Sequence, residues 1–162
     1  MKTNNLPGKT QTATASNDYK GDWWSCPTEN ETSTNVIIVT GRRDVEKFRN
    51  NPKFSIRVEI TLTYGPTETG MPGLEAEKTI SEITDRLAAV FDKDPVAVMT
   101  GIYTGDNQRD WIFYTLSTNI FQKKLNEALA DLPLVPLRIY AENDPEWNEY
   151  TEMRQATEIG EE

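Results

Sequence analysis

Hydrophobic and polar residues alternate most regularly along residues 54–64. Every second position from Phe54 to Tyr64 is apolar or aromatic, while Ser, Arg, Glu and Thr fill the positions between. A period of two is typical of a β-strand that buries one face. Shorter apolar or β-branched runs predict four more strands, at Asn35–Thr40, Val96–Thr104, Asp110–Leu116 and Val135–Ala141.

Two segments carry their apolar residues at helical spacing. Leu74–Phe91 repeats them every three or four positions, which predicts an amphipathic helix. The second helix has the same spacing from Phe121 onward, and Ser117, Thr118 or Asn119 can serve as its N-cap. Both helices are long enough to cover part of a sheet.

Two shorter helices are also predicted. Arg42–Arg49 forms a short polar helix or a turn before a proline break. Asp144 followed by Pro145 has the form of an N-cap and a proline at the first helical position. This pair predicts a short C-terminal helix that runs through Trp147 and Tyr150.

The order of elements predicts the fold class. From Phe54 to Ala141 the order is strand, helix, strand, strand, helix, strand, which is the split βαβ, or ferredoxin-like, order of an α+β protein. Two helices would then cover one face of an antiparallel sheet, and the N-terminal strand would extend that sheet or pair with its edge. We expect one such domain over residues 22–153.

The two ends of the chain are polar. Residues 1–21 are rich in Thr, Asn and Ser and show no apolar period, so we expect them to be disordered. Residues 154–162 are expected to form an acidic flexible tail. Because the chain has 162 residues, one domain accounts for its length.

Aromatic residues occupy both faces of one predicted strand. Trp111 lies on one face of the strand Asp110–Leu116 and Tyr114 on the other, so the sheet face away from the helices is also apolar. We expect Trp23, Trp24 and the Trp147 helix to cover this outer face. Contact with a partner is the alternative that the pattern leaves open.

The chemistry available to the chain is restricted. The chain has no histidine, which removes the commonest general base and the imidazole ligands of most zinc and iron sites. One cysteine, Cys26, permits no internal disulfide and no thiolate cluster, and a reduced, structural role is expected for it. We therefore expect no enzymatic activity and no cofactor.

Carboxylates are the remaining candidates for catalysis or metal binding. Three groups stand out: Asp92 with Asp94, Asp106 with Asp110, and Glu142 with Asp144 and Glu146. Each falls where a turn or a helix cap already requires a carboxylate, and none has the spacing of a calcium loop. The alternative function is thus a carboxylate-dependent hydrolase or a divalent-metal-binding enzyme.

The acidic balance indicates the kind of partner. The net charge is −9, and the segment from residue 142 to residue 162 contains eight carboxylates and one arginine. Such a chain repels phosphate backbones, so direct nucleic-acid binding is not expected. It suits a partner protein with a basic surface, and solubility is the alternative reason for the acidity.

The chain has no apolar run long enough to cross a bilayer and no N-terminal apolar region typical of an export signal. We therefore expect a cytoplasmic, bacterial-type protein in contact with neither membrane nor nucleic acid, and leave its oligomeric state open.

The candidate partner-binding surface combines the acidic C-terminal segment with the polar positions of the outer sheet face. Glu142, Glu146 and Glu149 are spaced three or four residues apart and are predicted to share one side of the last helix. Carboxylates at a helix start also favour the helix dipole, which is a sufficient structural reason for them. The predicted set is Glu142, Glu146, Glu149, Glu152, Arg57, Glu59, Arg138 and Tyr140.

Three motifs resemble a known bacterial family. They are the Asp-Trp-Trp string at residues 22–24, the hairpin Gly105–Tyr114, and the ending Ile139–Tyr150 with its Asp-Pro-Glu-Trp string. Together they resemble the domain of unknown function 695 family over residues 22–153. The residues that carry the motifs are expected to be structural: Trp23, Trp24, Arg109, Trp111, Asp144, Pro145, Trp147 and Tyr150.

The last two motifs are also similar to the regulator of ribonuclease E activity B family, whose members are small acidic proteins of ferredoxin-like fold. The first resemblance implies a fold and no established activity. The second implies binding and inhibition of a ribonuclease, a target that we do not transfer to this chain. The expected function is a non-enzymatic protein-binding or regulatory module, such as an inhibitor or an immunity-type protein that binds a basic partner.

Overall fold

The structure is a computed structural model, and it describes residues 21–29 and 35–158. Residues 1–20 of the segment predicted to be disordered lie outside the described residues, as do residues 159–162 of the predicted acidic tail. The described residues form six strands and four helices. In chain order these are β1 Trp23–Glu29, β2 Val36–Arg42, α1 Glu46–Arg49, β3 Ile56–Thr63, α2 Leu74–Lys93, β4 Ala97–Gly105, β5 Gln108–Thr115, α3 Thr118–Leu129, β6 Leu137–Asn143 and α4 Asn148–Thr157.

All six strands form one antiparallel sheet in the order β1-β2-β4-β5-β3-β6. The last four strands of this order, with α2 and α3 between them in sequence, have the split βαβ arrangement. The predicted α+β class is therefore confirmed, and the ferredoxin-like order is compatible with it. β2 and β1 extend the sheet beyond β4.

The sequence analysis did not predict β1. This strand pairs with β2 along its whole length, from Trp23 opposite Arg42 to Glu29 opposite Val36. Its sequence is short, and Pro27 interrupts it, which weakens the strand signal. An edge strand tolerates proline because one side of its backbone has no ladder to maintain.

The hairpin between β4 and β5 turns at Asp106 and Asn107, both in the left-handed region with φ of 54° and 69°. Asp and Asn are the non-glycine residues that adopt this conformation most readily, and two such residues in a row are typical of a tight hairpin. The predicted turn is therefore confirmed.

The helix-side face of the sheet carries the larger core. α2 and α3 pack there over Val58, Ile60, Trp111 and Phe113, all of which are buried. The Nε1 of Trp111 donates to the Thr84 hydroxyl at 2.9 Å, so the indole polar atom is satisfied inside the core. Burial of this face follows from the alternation of apolar residues in β3 and β5.

A second core covers part of the outer face. Trp24, Tyr114, Trp147 and Tyr150 pack together there, and α4 lies against β1 and β2. Trp23 points to the opposite face and packs against the helix-side core. The predicted cover by Trp24 and the Trp147 helix is confirmed, but the inclusion of Trp23 is wrong because neighbouring residues of a strand face opposite sides.

Gly41 allows Trp24 to lie flat on the sheet. A Cβ at position 41 would stand 2.2 Å from the Trp24 ring, closer than any real contact. Gly41 pairs directly with Trp24 across β1 and β2. The indole therefore occupies space that any other residue at position 41 would fill.

The last helix begins later than predicted. α4 starts at Asn148, and Trp147 before it has a left-handed backbone with φ of 56°. Pro145 thus precedes the helix instead of opening it. Asp144 still acts as a cap, because its carboxylate accepts from the backbone N–H groups of Asn148 at 2.9 Å and Glu149 at 3.1 Å.

α4 also continues further than predicted. Residues 154–157, assigned to the flexible tail, are helical. The Thr157 hydroxyl accepts from the Nε1 of Trp24 at 2.8 Å, and Glu158 pairs with Arg43 and Arg154. These contacts fix the end of the helix to β1 and β2.

Candidate functional site

α4 leaves one part of the outer sheet face uncovered. β3 and β6 pair with Arg57 opposite Glu142 and Glu59 opposite Tyr140. Directly opposed residues of an antiparallel pair share a face, and Arg57 also lies opposite Tyr114, so these four side chains are on the outer face. The structure therefore brings together four of the residues that the sequence predicted for partner binding.

Arg57 is the centre of this group. Its guanidinium pairs with Glu59, and its Nη2 lies 2.7 Å from a carboxylate oxygen of Glu142. The guanidinium also lies 5.9 Å from the centre of the Tyr140 ring. Only 7% of Arg57 is exposed, which the sequence did not predict for a polar position of β3.

The charge of Arg57 is held by these contacts. Burial by itself would lower the pKa of Arg57, but the hydrogen bonds that its guanidinium donates to Glu142 and Glu59 outweigh this effect and raise the pKa above its ordinary value. Arg57 therefore stays charged at any pH at which the fold exists. Its Nε has no hydrogen-bond partner among the described residues.

Tyr140 and Glu142 form the exposed side of the group. The Tyr140 hydroxyl donates to a Glu142 carboxylate oxygen at 2.5 Å. This bond and the Arg57 ion pair hold the pKa of Glu142 below its ordinary value. Tyr140 remains 54% exposed, so an aromatic ring and a fixed anion stand together at the surface.

Glu149 approaches the same group from α4. Its carboxylate accepts from the Tyr103 hydroxyl at 2.7 Å, while its other oxygen has no partner among the described residues. Burial raises the pKa of Glu149, and the opposing effects of Tyr103 and the nearby Arg57 do not cancel it. We name Arg57, Glu59, Tyr103, Tyr140, Glu142 and Glu149 the Arg57 cluster.

The Arg57 cluster is acidic overall. Glu59, Glu142 and Glu149 surround a single arginine, and two of the three carboxylates belong to β3 and β6 at the open side of the sheet. Fixed carboxylates in excess of cations produce a negative potential that attracts a cationic group. A tyrosine ring beside them offers a face for the same cation.

The remaining predicted partner-binding residues lie apart from this cluster. Glu146 is exposed in the turn before α4, Glu152 is exposed on α4, and Arg138 is exposed in β6. Because Glu142 belongs to β6 and α4 begins at Asn148, the prediction that Glu142, Glu146 and Glu149 share one side of a helix is wrong. Arg138 lies opposite Thr61, on the same face as the cluster.

The motif residues have structural contacts. The Tyr150 hydroxyl donates to the Arg42 carbonyl at 2.5 Å, and the Arg109 guanidinium lies 5.7 Å from the centre of the Trp111 ring. Tyr114 donates to Asp144 at 2.7 Å, which connects the central sheet to the start of α4. Tyr114, Asp144 and Tyr150 hold α4 on the outer face and so define where the cover ends, whereas the contact of Arg109 with Trp111 belongs to the helix-side face.

Tyr103 was not among the predicted site residues. It belongs to β4, and its partner Glu149 is 46 residues away along the chain. Only the position of α4 brings these two side chains into contact. A strict period of two in β4 would have placed Tyr103 and Val98 on opposite faces, because they are five residues apart. An irregularity of the strand between Met99 and Gly101 brings Tyr103 to the outer face, where it packs against the outer core, so no local signal identified it.

A cavity of about 330 Å³ lies at a different place, between the end of β2, α1 and the C-terminal half of α2. Its walls include the rings of Trp23, Phe48 and Phe91 together with charged side chains, namely Arg42, Asp44, Lys47 and Asp92. None of the described residues that line it belongs to the predicted partner-binding set. Within residues 21–29 and 35–158, no group of three or more Cys, Asp or Glu is arranged to hold a metal ion.

The pKa shift of Glu149 gives a testable consequence. We expect Glu149→Gln to raise the free energy of unfolding at pH 7 by up to about 1 kcal/mol, because the buried site disfavours the carboxylate. A raised folded-state pKa adds stability at low pH that is lost as pH rises through it. The difference in the free energy of unfolding between Glu149→Gln and the wild type should therefore narrow as pH falls from 7 towards 4.5, the ordinary pKa of a glutamate.

Urea unfolding followed by tryptophan fluorescence measures this gap at each pH. Glu152→Gln, at an exposed position of the same helix, removes the same charge and is the matched control. Its difference from wild type should stay small and independent of pH. A gap for Glu149→Gln that widens on acidification would contradict the assignment of a raised pKa.

The fold and the surface define a class: an α+β domain with an antiparallel six-stranded sheet, α2 and α3 on one face, and α4 with an acidic, tyrosine-lined patch on the other. The chain matches the Family of unknown function (DUF695) over residues 23–153 and belongs to that family. No curated protein and no solved structure matches it. Within the described part of the chain, none of the helices combines the length and the apolar character needed to span a bilayer.

Proposed function

We propose that this protein is a non-enzymatic binding or regulatory module that recognises a basic surface of another protein through the Arg57 cluster. The observation that carries the proposal is the grouping of Glu59, Glu142 and Glu149 around one arginine, at the place where α4 ceases to cover the outer face. In this proposal the protein acts in the cytoplasm, as an inhibitor or as an immunity-type protein.

The carboxylates support a binding role because they are already in position. Glu142 is held by both Arg57 and Tyr140, so little side-chain freedom is lost when a cation from a partner approaches. Opposite charges across an interface speed association and select against acidic partners. A lysine or arginine of the partner would meet Glu142 and Glu59 directly.

Tyr140 supports the same role. Tyrosine is enriched at protein interfaces because it presents a large, rigid ring with a polar tip at low entropic cost. Here the ring is about half exposed on an edge strand, and the Arg57 guanidinium lies over it at 5.9 Å from the ring centre. Truncation of such a ring typically has a larger effect on affinity than removal of a single peripheral charge.

The carboxylate-dependent hydrolase remains the alternative. Its basis is that the pKa of Glu149 is raised while the pKa of Glu142 is lowered, as an acid and a base require. Both carboxylates are, however, bound by groups of the protein itself: Glu149 by Tyr103, and Glu142 by Arg57 and Tyr140. The Arg57 cluster therefore has more support as a contact surface.

Site-specific photo-crosslinking tests the proposal. A photoreactive phenylalanine analogue replaces Tyr140 in the protein made by its own cells, and the same analogue at Leu74, which is 89% exposed on α2, is the control. We expect the analogue at position 140 to form a discrete adduct with another protein, and the analogue at position 74 to form none. Its yield should fall as the salt concentration rises during crosslinking in lysate, because the contact is electrostatic.

Charge-neutralising variants complete the test. Glu59→Gln with Glu142→Gln should reduce the adduct yield at least about tenfold, since the loss of even one hydrogen bond to a charged group, about 1.5–3 kcal/mol, weakens binding by that factor. Glu75→Gln with Glu82→Gln, at exposed positions of α2, changes the net charge equally and should leave the yield unchanged. An adduct that is indifferent to the first pair and to salt would reject the Arg57 cluster as the contact surface.

A further inference from the structure

We infer that the partner binds as an added β-strand along the free edge of β6, presenting alternating basic and apolar side chains. This inference rests on the proposed function and names the form of the partner segment that meets the Arg57 cluster. It starts from the position of β6, which pairs with β3 on one side and, among the described residues, ends the sheet on the other.

The ladder determines which backbone groups of β6 are free. The Asp144 N–H donates to the Ser55 carbonyl at 2.8 Å, so the backbone groups of Asp144 point to the β3 side. Because backbone groups alternate in direction along a strand, those of Ile139, Ala141 and Asn143 point away from β3. These three residues present their N–H and C=O groups along the open edge.

The two edges of the sheet differ in their protection. β1, the opposite edge, contains Pro27, which cannot donate to an added strand. β6 contains no proline and is exposed from Arg138 to Asn143. Charged residues and proline are the usual devices that block edge pairing, and β6 has a charge only at Arg138 and Glu142.

The middle of β6 carries exposed large side chains. Ile139 is 44% exposed on the helix-side face, and Tyr140 is 54% exposed on the outer face. A strand added beside β6 would cover both, because its side chains alternate between the same two faces. The edge therefore offers main-chain hydrogen bonds together with apolar surface to bury.

Charge complementarity gives the side-chain pattern of the partner. On the outer face the added strand would lie beside Tyr140 and Glu142, which favours lysine or arginine at those positions. On the helix-side face it would lie beside Ile139 and Ala141, which favours valine or another apolar residue. A basic residue opposite Arg138 would be repelled, so a neutral residue fits there.

A synthetic peptide tests the inference on the full-length protein. The probe is Val-Lys-Val-Lys-Val-Ser-Val, labelled with a fluorophore, which in antiparallel register places its lysines opposite Glu142 and Tyr140 and its serine opposite Arg138. We expect saturable binding in fluorescence anisotropy that weakens with salt. A peptide of the same composition with its two lysines adjacent should bind about tenfold more weakly, because one lysine then faces the apolar side.

Backbone N-methylation separates strand addition from simple charge attraction. Methylation of the third and fifth residues removes the N–H groups that would face Ala141 and Ile139, and should weaken binding about tenfold or more, as the loss of two hydrogen bonds implies. Methylation of the two lysines removes N–H groups that would point away from β6 and should have little effect. On the protein, Ala141→Pro should weaken binding of the unmodified peptide similarly, with Ala141→Gly as its control.

The outcomes distinguish the inference from the proposed function. If both methylated peptides bind as well as the unmodified one, and binding still requires Glu59 and Glu142, strand addition is wrong and the acidic contact surface stands. If binding depends on the third and fifth N–H groups but not on Glu59 and Glu142, β6 is an edge-binding site and the Arg57 cluster is not its recognition element. No saturable binding of the unmodified peptide would overturn the inference.

Discussion

Replacing Trp147 with Ala is expected to lower the free energy of unfolding by about 3–5 kcal/mol, as buried tryptophan truncations do. Only 1% of Trp147 is exposed. Its ring stacks on Tyr114 with 4.0 Å between centres, and its Nε1 donates to the Phe54 carbonyl at 2.8 Å. Loss of the ring would leave a cavity between α4 and the sheet and an unsatisfied carbonyl.

The backbone conformation of Trp147 also indicates that the packing of its ring is strongly stabilising. A bulky residue in the left-handed region costs about 1–2 kcal/mol, so the packing of its ring must outweigh this cost. Trp147→Phe retains a ring against Tyr114 and loses the bond to Phe54, so we expect a smaller loss of about 1–2 kcal/mol. Urea unfolding measures both variants. A loss below about 1 kcal/mol for Trp147→Ala would show that the ring contributes little to the outer core.

The elements with local signals could be predicted from the sequence. The alternation that begins at Phe54 predicted β3, the helical spacing after Leu74 predicted α2, and Asp106-Asn107 predicted the hairpin turn. Each of these signals depends on residues close to one another in the chain. Such signals are strongest where one face of an element is buried and the other is not.

β1 and the start of α4 could not be predicted in the same way. β1 was missed because Pro27 and the polar residues around it resemble a loop. The start of α4 was placed too early because Asp-Pro is a common cap sequence, whereas Trp147 takes a left-handed conformation that only its tertiary packing supports.

The candidate site was predicted in part. Arg57, Glu59 and Tyr140 follow from the strand periods, since the pairing of β3 and β6 places them on one face. Glu142 was predicted for the same surface, but on the last helix instead of on β6. Glu149 and Glu146 have the same charge in the sequence, yet Glu149 is turned inward to Tyr103 and Glu146 is exposed. That difference depends on where α4 begins and how it packs.

The position of α4 depends in turn on Asp144. Replacing Asp144 with Ala should lower the free energy of unfolding by about 2–4 kcal/mol, from the loss of a helix cap and of a buried hydrogen bond. The carboxylate accepts from Tyr114 at 2.7 Å as well as from the first N–H groups of α4. Tyr114 is fully buried, so its hydroxyl would be left without this acceptor.

The effect should depend on pH with a defined sign. Burial by itself would raise the pKa of Asp144, but the hydrogen bonds from Tyr114 and the α4 backbone outweigh it and hold the pKa below 3.8. The stability from a lowered carboxylate pKa is complete above the unfolded-state value and is lost as pH falls through the folded-state value. The free energy of unfolding of the wild type should therefore exceed that of Asp144→Ala by a constant margin above about pH 5. This margin should shrink below about pH 4.

A double-mutant cycle with Tyr114→Phe separates the cap from the buried bond. We expect the single changes to couple by about 1–2 kcal/mol, because either one removes the same Tyr114–Asp144 hydrogen bond. The part of the Asp144→Ala effect that persists in the Tyr114→Phe background is then the contribution of the cap. Additive effects of the two changes, or a margin that grows on acidification, would show that the charged Asp144 does not join β5 to α4.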